Sequence, residues 1–296
     1  MKRVARLINL SYVHKMGYYG NGITVAVVDS GIAYHPALGG KESKRYVASA
    51  DMVNGIYEFY DDMGHGTHVA GIIGGNNEHI TGMAPECRFV SVKVLDKKGN
   101  GRNEDIIAGL NWIMENADRY SIRIVNISVG TTSKKEYDEN SMLVRMVDKL
   151  WNNGLIVVAA AGNNGPVANS IGAPGISRKI ITVGAVDDSN IKEKGMRDNY
   201  SGRGPTSNCI MKPDIVAPGS YIYSCSNCAY GHWYQIKSGT SMSTPVVTGA
   251  IALLLSKYPQ MTNREVKIRL KKSAVDIGYP REKQGWGMLD VLRLME

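Results

Sequence analysis

The sequence predicts a three-layer α/β fold, in which helices cover both faces of a mostly parallel central sheet. Short apolar runs rich in β-branched residues alternate with helical patterns, and this rhythm is typical of a parallel sheet that is buried on both faces. The chain has 296 residues, of which 43% are hydrophobic, and it contains 33 glycines. Because this length and composition can bury one large core, we expect one domain.

Five apolar runs are the predicted strands. They cover residues 23–28, 89–95, 122–127, 155–160 and 180–186. Residues 104–120 place apolar side chains on one stripe at helical spacing, and residues 141–152 repeat the pattern, so both segments are predicted helices on the sheet. Near the C-terminus, Thr262 and Glu265 form a capping-box pattern, which predicts the start of a further helix.

Hydropathy, charge and the N-terminal residues exclude several classes of protein. A run of about 18 apolar residues is absent, which excludes a membrane-spanning helix. The formal net charge is +8, but the basic residues are spread along the chain, so we expect no nucleic-acid partner. Arg3, Arg6 and Lys15 interrupt the first apolar pieces, unlike the continuous apolar region of a secretory signal.

The cysteines favour a reducing compartment. Cys87, Cys209, Cys225 and Cys228 are too few and too scattered for a disulfide framework in a chain of this length. Cys225 and Cys228, with His232 nearby, resemble half of a metal site, but zinc sites usually have a second ligand pair at similar spacing. We therefore expect free thiols and no metal ion.

Two candidate functional residues occur at the ends of predicted elements. Asp29 follows the first strand, at the sheet edge where open α/β folds bind ligands, although many such aspartates only cap a turn. His65 lies between two glycines at the start of a small-residue helix, and His68 would share its face, so a metal pair is the alternative. The glutamate of the zinc-protease pattern is missing, and the glycines favour close approach of a substrate backbone.

Ser241 is the candidate nucleophile. Pro245 and the apolar stretch after it predict a helix that begins near Ser241, which places the hydroxyl in the positive end of the helix dipole. By itself, such a serine is equally often a helix cap. An acyl-transfer nucleophile needs a base for its proton and an acid that orients this base, and the chain offers all three.

The segments around these residues resemble a known family. They read VAVVDSGI, GHGTHVAG and GTSMSTP, and they are similar to the three signature segments of the subtilisin-like (subtilase) family of serine endopeptidases. The resemblance implies a triad of Asp29, His65 and Ser241, with no cofactor for the chemistry. The segment that ends in Asn163 is similar to the one carrying the family's oxyanion-hole asparagine. Further matches extend the resemblance over about residues 21–291.

The resemblance also implies how a protein or peptide substrate binds. Residues 128–130 match the edge segment that pairs with an extended peptide, and residues 98–102 match the opposing strand. The implied substrate-binding residues are Gly99, Gly101, Ser128, Val129, Gly130, Ala160, Gly162, Asn164 and Gly172. The small walls of this pocket and the lack of a buried acid favour a large apolar residue before the cut.

The family resemblance also suggests how the chain is divided into domains and how its activity is regulated. We expect a peptidase domain over residues 21–296 and an N-terminal extension over residues 1–20, in a cytoplasmic protein like the family's intracellular bacterial members. The extension is a candidate inhibitory segment. Calcium is often structural in the family, but residues 74–81 look short for a calcium-binding loop. The alternatives in function are an inactive pseudoprotease that serves as a binding module, and a peptide ligase or macrocyclase.

Overall fold

The computed structural model describes residues 1–130, 141–189, 198–228 and 231–296. In this part of the chain the strands are β1 (Thr24–Asp29), β2 (Tyr46–Asp51), β3 (Arg88–Lys93), β4 (Ile122–Ile127), β5 (Ile156–Ala160), β6 (Ile181–Ala185), β7 (Ile215–Ala217), β8 (Ile222–Cys225) and β9 (Tyr234–Lys237). The helices are α1 (Lys2–Leu7), α2 (Leu10–Lys15), α3 (His65–Gly74), α4 (Asn103–Asn116), α5 (Met142–Asn152), α6 (Thr240–Lys257), α7 (Asn263–Ser273), α8 (Arg281–Gln284) and α9 (Val291–Met295).

The central sheet is parallel, as the sequence predicts. Seven strands pair in the order β2-β3-β1-β4-β5-β6-β7, and every pair runs in the same direction. All residues of β1 and β5 are buried, which explains why these strands read as continuous apolar runs. β8 and β9 form a separate antiparallel hairpin.

Helices cover both faces of this sheet. Asn126 of β4 bonds to α6, whereas Val92 of β3 lies against α4, 2.8 Å from where a side chain at Gly109 would begin. The register pairs Val28 with both Val92 and Ile127, so Val92 and Asn126 point to opposite faces. The predicted three-layer α/β architecture is confirmed.

Several elements differ from the sequence prediction. β2 was not predicted because four of its six residues are only half-buried, and β7 has only three residues. The predicted helix over residues 104–120 ends at Asn116, because the chain turns at Ser121 (φ 51°) and the Ile122 N–H donates to Ala117 O. The predicted capping box is confirmed: Thr262 and Glu265 bond to each other's backbone at the start of α7.

The N-terminal residues are part of the main hydrophobic core. Val4, Ile8, Leu10 and Val13 are buried in it, and the Val291 N–H donates to the Ile8 carbonyl, which joins the segment to α9. Among the described residues, we find no helix with the length and apolar character needed to cross a membrane.

Candidate active site

The site forms where two neighbouring strands end. Asp29 is the last residue of β1, and Ser128 directly follows β4. The preceding residues, Val28 and Ile127, are paired in the parallel register, and neighbouring strands lie about 4.8 Å apart. Groups that bind Asp29 and Ser128 are therefore held side by side at the carboxyl edge of the sheet.

Asp29 orients the imidazole of His65. The Asp29 carboxylate is fully buried, and its Oδ1 lies 2.7 Å from His65 Nδ1 and 2.8 Å from the Ser30 N–H. A carboxylate accepts hydrogen bonds, so Nδ1 carries the proton and Nε2 keeps a free lone pair. This tautomer is the one that a general base requires.

A second aspartate holds the loop that precedes His65. Asp61 Oδ1 accepts from Ser30 Oγ (2.8 Å) and Gly64 N (2.7 Å), and its Oδ2 accepts from both the N–H (2.9 Å) and the hydroxyl (2.7 Å) of Thr67. Asp61 thus ties the residue after Asp29 to the first turn of α3. The sequence analysis missed it, although an acidic residue shortly before a helix start is a capping signal.

Ser241 is the second residue of α6, as the sequence predicts. Its hydroxyl donates to the carbonyl of Ser128, with an Oγ–O distance of 2.7 Å. A hydroxyl has one proton, so this bond has to break before Ser241 can donate to Nε2 of His65. In this structure the Ser241 hydroxyl is therefore bonded to the backbone at the end of β4 and not to His65.

Asn163 lies beside the same helix start. Its Oδ1 accepts from the N–H and from the hydroxyl of Thr240, each at 3.0 Å, and this hydroxyl in turn accepts from Gly162 N (3.1 Å). A side chain at Gly239 would begin 3.2 Å from Asn163 Nδ2 and 3.8 Å from Ser241 N. Two donors therefore flank the space over Gly239, and Thr240, which the sequence analysis did not single out, fixes the amide that supplies one of them.

The proposed pocket walls are close to one another. A Cβ at Gly130 would lie 3.3 Å from Ala173 O, next to Gly172, and a Cβ at Gly162 would lie 3.5 Å from Gly172 N. Ser128, Val129 and Ala160 are buried, Gly130 is exposed, and Asn164 is half-buried. The structure thus brings the segments that contain residues 128–130, 160–162 and 172 together.

The opposing segment lies near the loop before His65. Gly99 has φ 81°, and a side chain on it would contact Met63 at 2.9 Å. Asp96 holds the turn by accepting from Lys98 N (2.8 Å) and Asn100 N (2.9 Å). Gly101 packs against Leu95, with a Cβ position 2.7 Å from its Cδ2.

Cys225 and His68, which the sequence offered as possible metal ligands, instead contact neighbouring parts of the fold. All four cysteines are free thiols, and burial raises the pKa of the Cys225 thiol to about 12, so it stays neutral against Gly71 of α3. His68 Nε2 lies 3.1 Å from Ile222 O and 3.2 Å from Gln235 O, so it donates to the β8–β9 hairpin. Across the described ranges, no group of three or more His, Cys, Asp or Glu side chains is placed to hold a metal ion.

Buried His68 makes the stability of the protein sensitive to acid. Burial, with smaller contributions from Lys237 and His65, lowers the pKa of His68 from 6.5 to about 3. Between these pH values the unfolded chain binds a proton that the folded chain does not. The contribution of His68 to the free energy of unfolding therefore falls as the pH falls below 6.5, by about 1.4 kcal/mol per pH unit.

We expect the variant His68→Gln to lose this part of the pH dependence, because its amide can donate to the same carbonyls without titrating. Urea unfolding at several pH values between 4 and 7, roughly spanning the titration, measures the slope in a Ser241→Ala background that prevents self-digestion. His14 and His35, whose pKa values burial also lowers, are the same in both proteins. Equal slopes would show that His68 does not cause the effect.

Comparisons with known proteins identify relatives of this chain. A sequence profile described as the subtilase family matches residues 20–287. Serine protease AprX of Bacillus subtilis (strain 168) is 41% identical over 273 residues, which cover 85% of this chain and 61% of that protein. Subtilisin of Bacillus pumilus is 36% identical over 271 residues, which cover 90% of this chain and 88% of that protein.

One solved structure is similar to this chain over most of the length of both proteins. The crystal structure of a cold adapted subtilisin-like serine proteinase has a TM-score of 0.74 and 29% sequence identity, and the match covers 93% of this chain and 90% of the other. The chain spans less than two thirds of the length of AprX. Since the family profile and these relatives match nearly the whole chain, the chain belongs to the subtilase family.

Proposed function

We propose that this chain is a serine endopeptidase, which hydrolyses peptide bonds through an acyl-enzyme on Ser241. The observation that carries the proposal is the 2.7 Å bond between Asp29 and His65 Nδ1, formed beside the strand end that holds the Ser241 hydroxyl. A buried acid, an oriented base and a nucleophile at a helix N-terminus are the three groups that acyl transfer needs. The serine protease relatives support the same reaction.

In this mechanism the proton of Ser241 moves to Nε2 of His65 while Oγ attacks the carbonyl carbon of the substrate. The oxygen of that carbonyl becomes negative, and the Ser241 N–H and Asn163 Nδ2 donate to it. His65 then gives its proton to the leaving amine, which breaks the peptide bond. Water, deprotonated by His65, then attacks the ester that remains. The bond to Oγ breaks as His65 returns the proton to Ser241, which frees the acid product.

The substrate is proposed to bind as an added strand. Residues 128–130 follow β4, and the turn with Gly99 and Gly101 follows β3, and these two strands are the neighbours of β1 in the sheet. We propose that an extended peptide pairs between these two segments. We propose that the small residues Ala160, Gly162 and Gly172 form the walls of the side-chain pocket and that Asn164 lies at its rim. We propose that this pocket takes a large apolar residue before the cut.

Cleavage-site analysis tests the activity and the pocket together. We expect the protein to cut a denatured protein mixture, and mass spectrometry of the products to show large apolar residues before most cuts. Ser241→Ala is the control for contaminating proteases. A clear preference for Arg or Lys before the cut would contradict the proposed pocket, and absence of cutting by the wild type would contradict the proposed activity.

We propose that the peptidase domain comprises residues 21–296 and that residues 1–20 support it structurally. Arg3 forms an ion pair with Asp187 (2.7 Å) and donates to Ser220 O, and Asn9 bonds to Asp290 (2.9 Å). With the four buried apolar side chains of this segment, these contacts favour a structural role over an inhibitory one.

The proposal also covers the cellular compartment and the calcium requirement of residues 74–81. Free thiols at all four cysteines support a reducing, cytoplasmic compartment. In residues 74–81, Asn76 pairs with Thr81, and Asn77 Oδ1 accepts from His79 N and Ile80 N, each at 3.1 Å. These internal hydrogen bonds hold the turn, so we propose that it needs no calcium ion.

A further inference from the structure

We infer that Asn126 is a positioning residue, which fixes the nucleophile helix relative to the strand that binds the substrate. Its amide bridges two elements: Oδ1 accepts from the Thr248 hydroxyl of α6 (2.8 Å), and Nδ2 donates to Ser128 Oγ (2.9 Å). This inference rests on the proposed function and adds a residue that determines how the peptide and Ser241 are aligned.

The surroundings of Asn126 show that its polarity is not needed for packing. In the register of the sheet its neighbours are Val27 of β1 and Val158 of β5, and all three side chains are fully buried. An apolar residue would suit this position, since a buried amide is costly unless its hydrogen bonds are made. Here the amide finds its partners on α6 and on Ser128, which are both parts of the proposed site.

Hydrogen bonds join α6 to the end of β4 at two points, and the bridge supplies one of them. Ser241 and Thr248 are seven residues apart, so two helical turns place them on the same side of α6. Ser241 bonds to the Ser128 carbonyl, and Thr248 bonds to Asn126, two residues earlier on the same strand face. The helix therefore runs antiparallel to β4 and is fixed to it at two points.

This arrangement links the position of Ser241 to the position of the bound peptide. A peptide paired with residues 128–130 takes its place from the β4 backbone, whereas Ser241 takes its place from α6. The Thr248–Asn126–Ser128 bridge sets the distance between the two. A small ester that is too short to pair with this strand does not depend on that distance.

The variant Thr248→Val tests the inference, because it keeps the shape of the side chain and removes its donor. We expect kcat/KM for an extended peptide to fall by about 10- to 100-fold, the range that a small misalignment causes, and kcat/KM for a small acyl ester to change by less than about twofold. Thr248→Ser, which keeps the hydroxyl, should restore hydrolysis of the peptide. All rates are measured well below the unfolding temperature of each variant.

Two further variants complete the experiment. Ser256→Ala removes a hydroxyl on the same helix that donates only to Leu253 O (2.7 Å), and it should leave both rates unchanged. If Thr248→Val does not fold, Ser128→Ala removes the other end of the bridge and should show the same difference between peptide and ester.

The outcomes separate this inference from the proposed function. Equal losses on peptide and ester, or a lower unfolding temperature with unchanged kcat/KM, would overturn the positioning role while the wild type remains an active protease. A wild type that cleaves neither substrate would overturn the proposed function and the positioning role with it.

Discussion

Replacing Ser241 by alanine is expected to lower kcat for peptide hydrolysis by about a millionfold, the loss measured for the nucleophile of subtilisin and carried over through family membership. Without Oγ no acyl-enzyme forms, and His65 has no hydroxyl to deprotonate. The fold should not change, because the contact that is lost is one hydrogen bond, from a half-buried hydroxyl to Ser128 O. The residual rate would come from the remaining groups that bind and polarise the substrate.

A serine-directed fluorophosphonate probe makes this expectation independent of the substrate. Wild-type protein should be labelled at Ser241, and Ser241→Ala should not be labelled. Ser243→Ala is the matched control, since Ser243 is on the same helix, is fully buried and donates to Ala217 O (3.0 Å). An unlabelled wild type would support a pseudoprotease that only binds its partner.

Replacing Asn163 by alanine should have the second largest effect. We expect kcat to fall by about 10²- to 10³-fold, the range found when the corresponding donor was removed from subtilisin, with little change in KM. The donor acts on charge that develops only in the transition state, so the ground-state complex loses little. Steady-state kinetics with one peptide substrate separate the two constants.

Asn163→Asp is the sharper companion variant. It keeps the oxygen that accepts from the Thr240 N–H and hydroxyl, and so preserves the local structure. It replaces the Nδ2 donor with an oxygen, which would repel the negative charge of the intermediate, so we expect a loss at least as large as for Asn163→Ala. A loss below about tenfold in both variants would contradict a role of this donor in stabilising the oxyanion.

The fold was predictable where its signal is local. Strands buried on both faces, such as β1 and β5, need continuous apolar runs, and the sequence shows them. β2 has no such run because most of its residues are half-buried, and it forms by pairing with β3. The end of α4 was wrong by four residues, because the apolar spacing continues although the chain turns at Ser121.

The sequence by itself determined the fold class and the candidates Asp29, His65 and Ser241, because each occurs in a short motif whose residue types the chemistry requires. The family resemblance added Asn163. Within those motifs, strand ends and helix starts follow from neighbours in the chain. For this reason the structure has Asp29 at the end of β1, and His65 and Ser241 in the first turns of α3 and α6, as predicted, whereas Asn163 lies in the segment after β5.

Only the tertiary structure decided how these residues are held. Thr248 and Asn126 are 122 positions apart, Ser241 and Ser128 are 113 apart, and Thr240 and Asn163 are 77 apart. Such hydrogen bonds depend on the register of the strands and on the packing of α6 across them. No local pattern encodes that geometry, since it arises when distant segments are buried together.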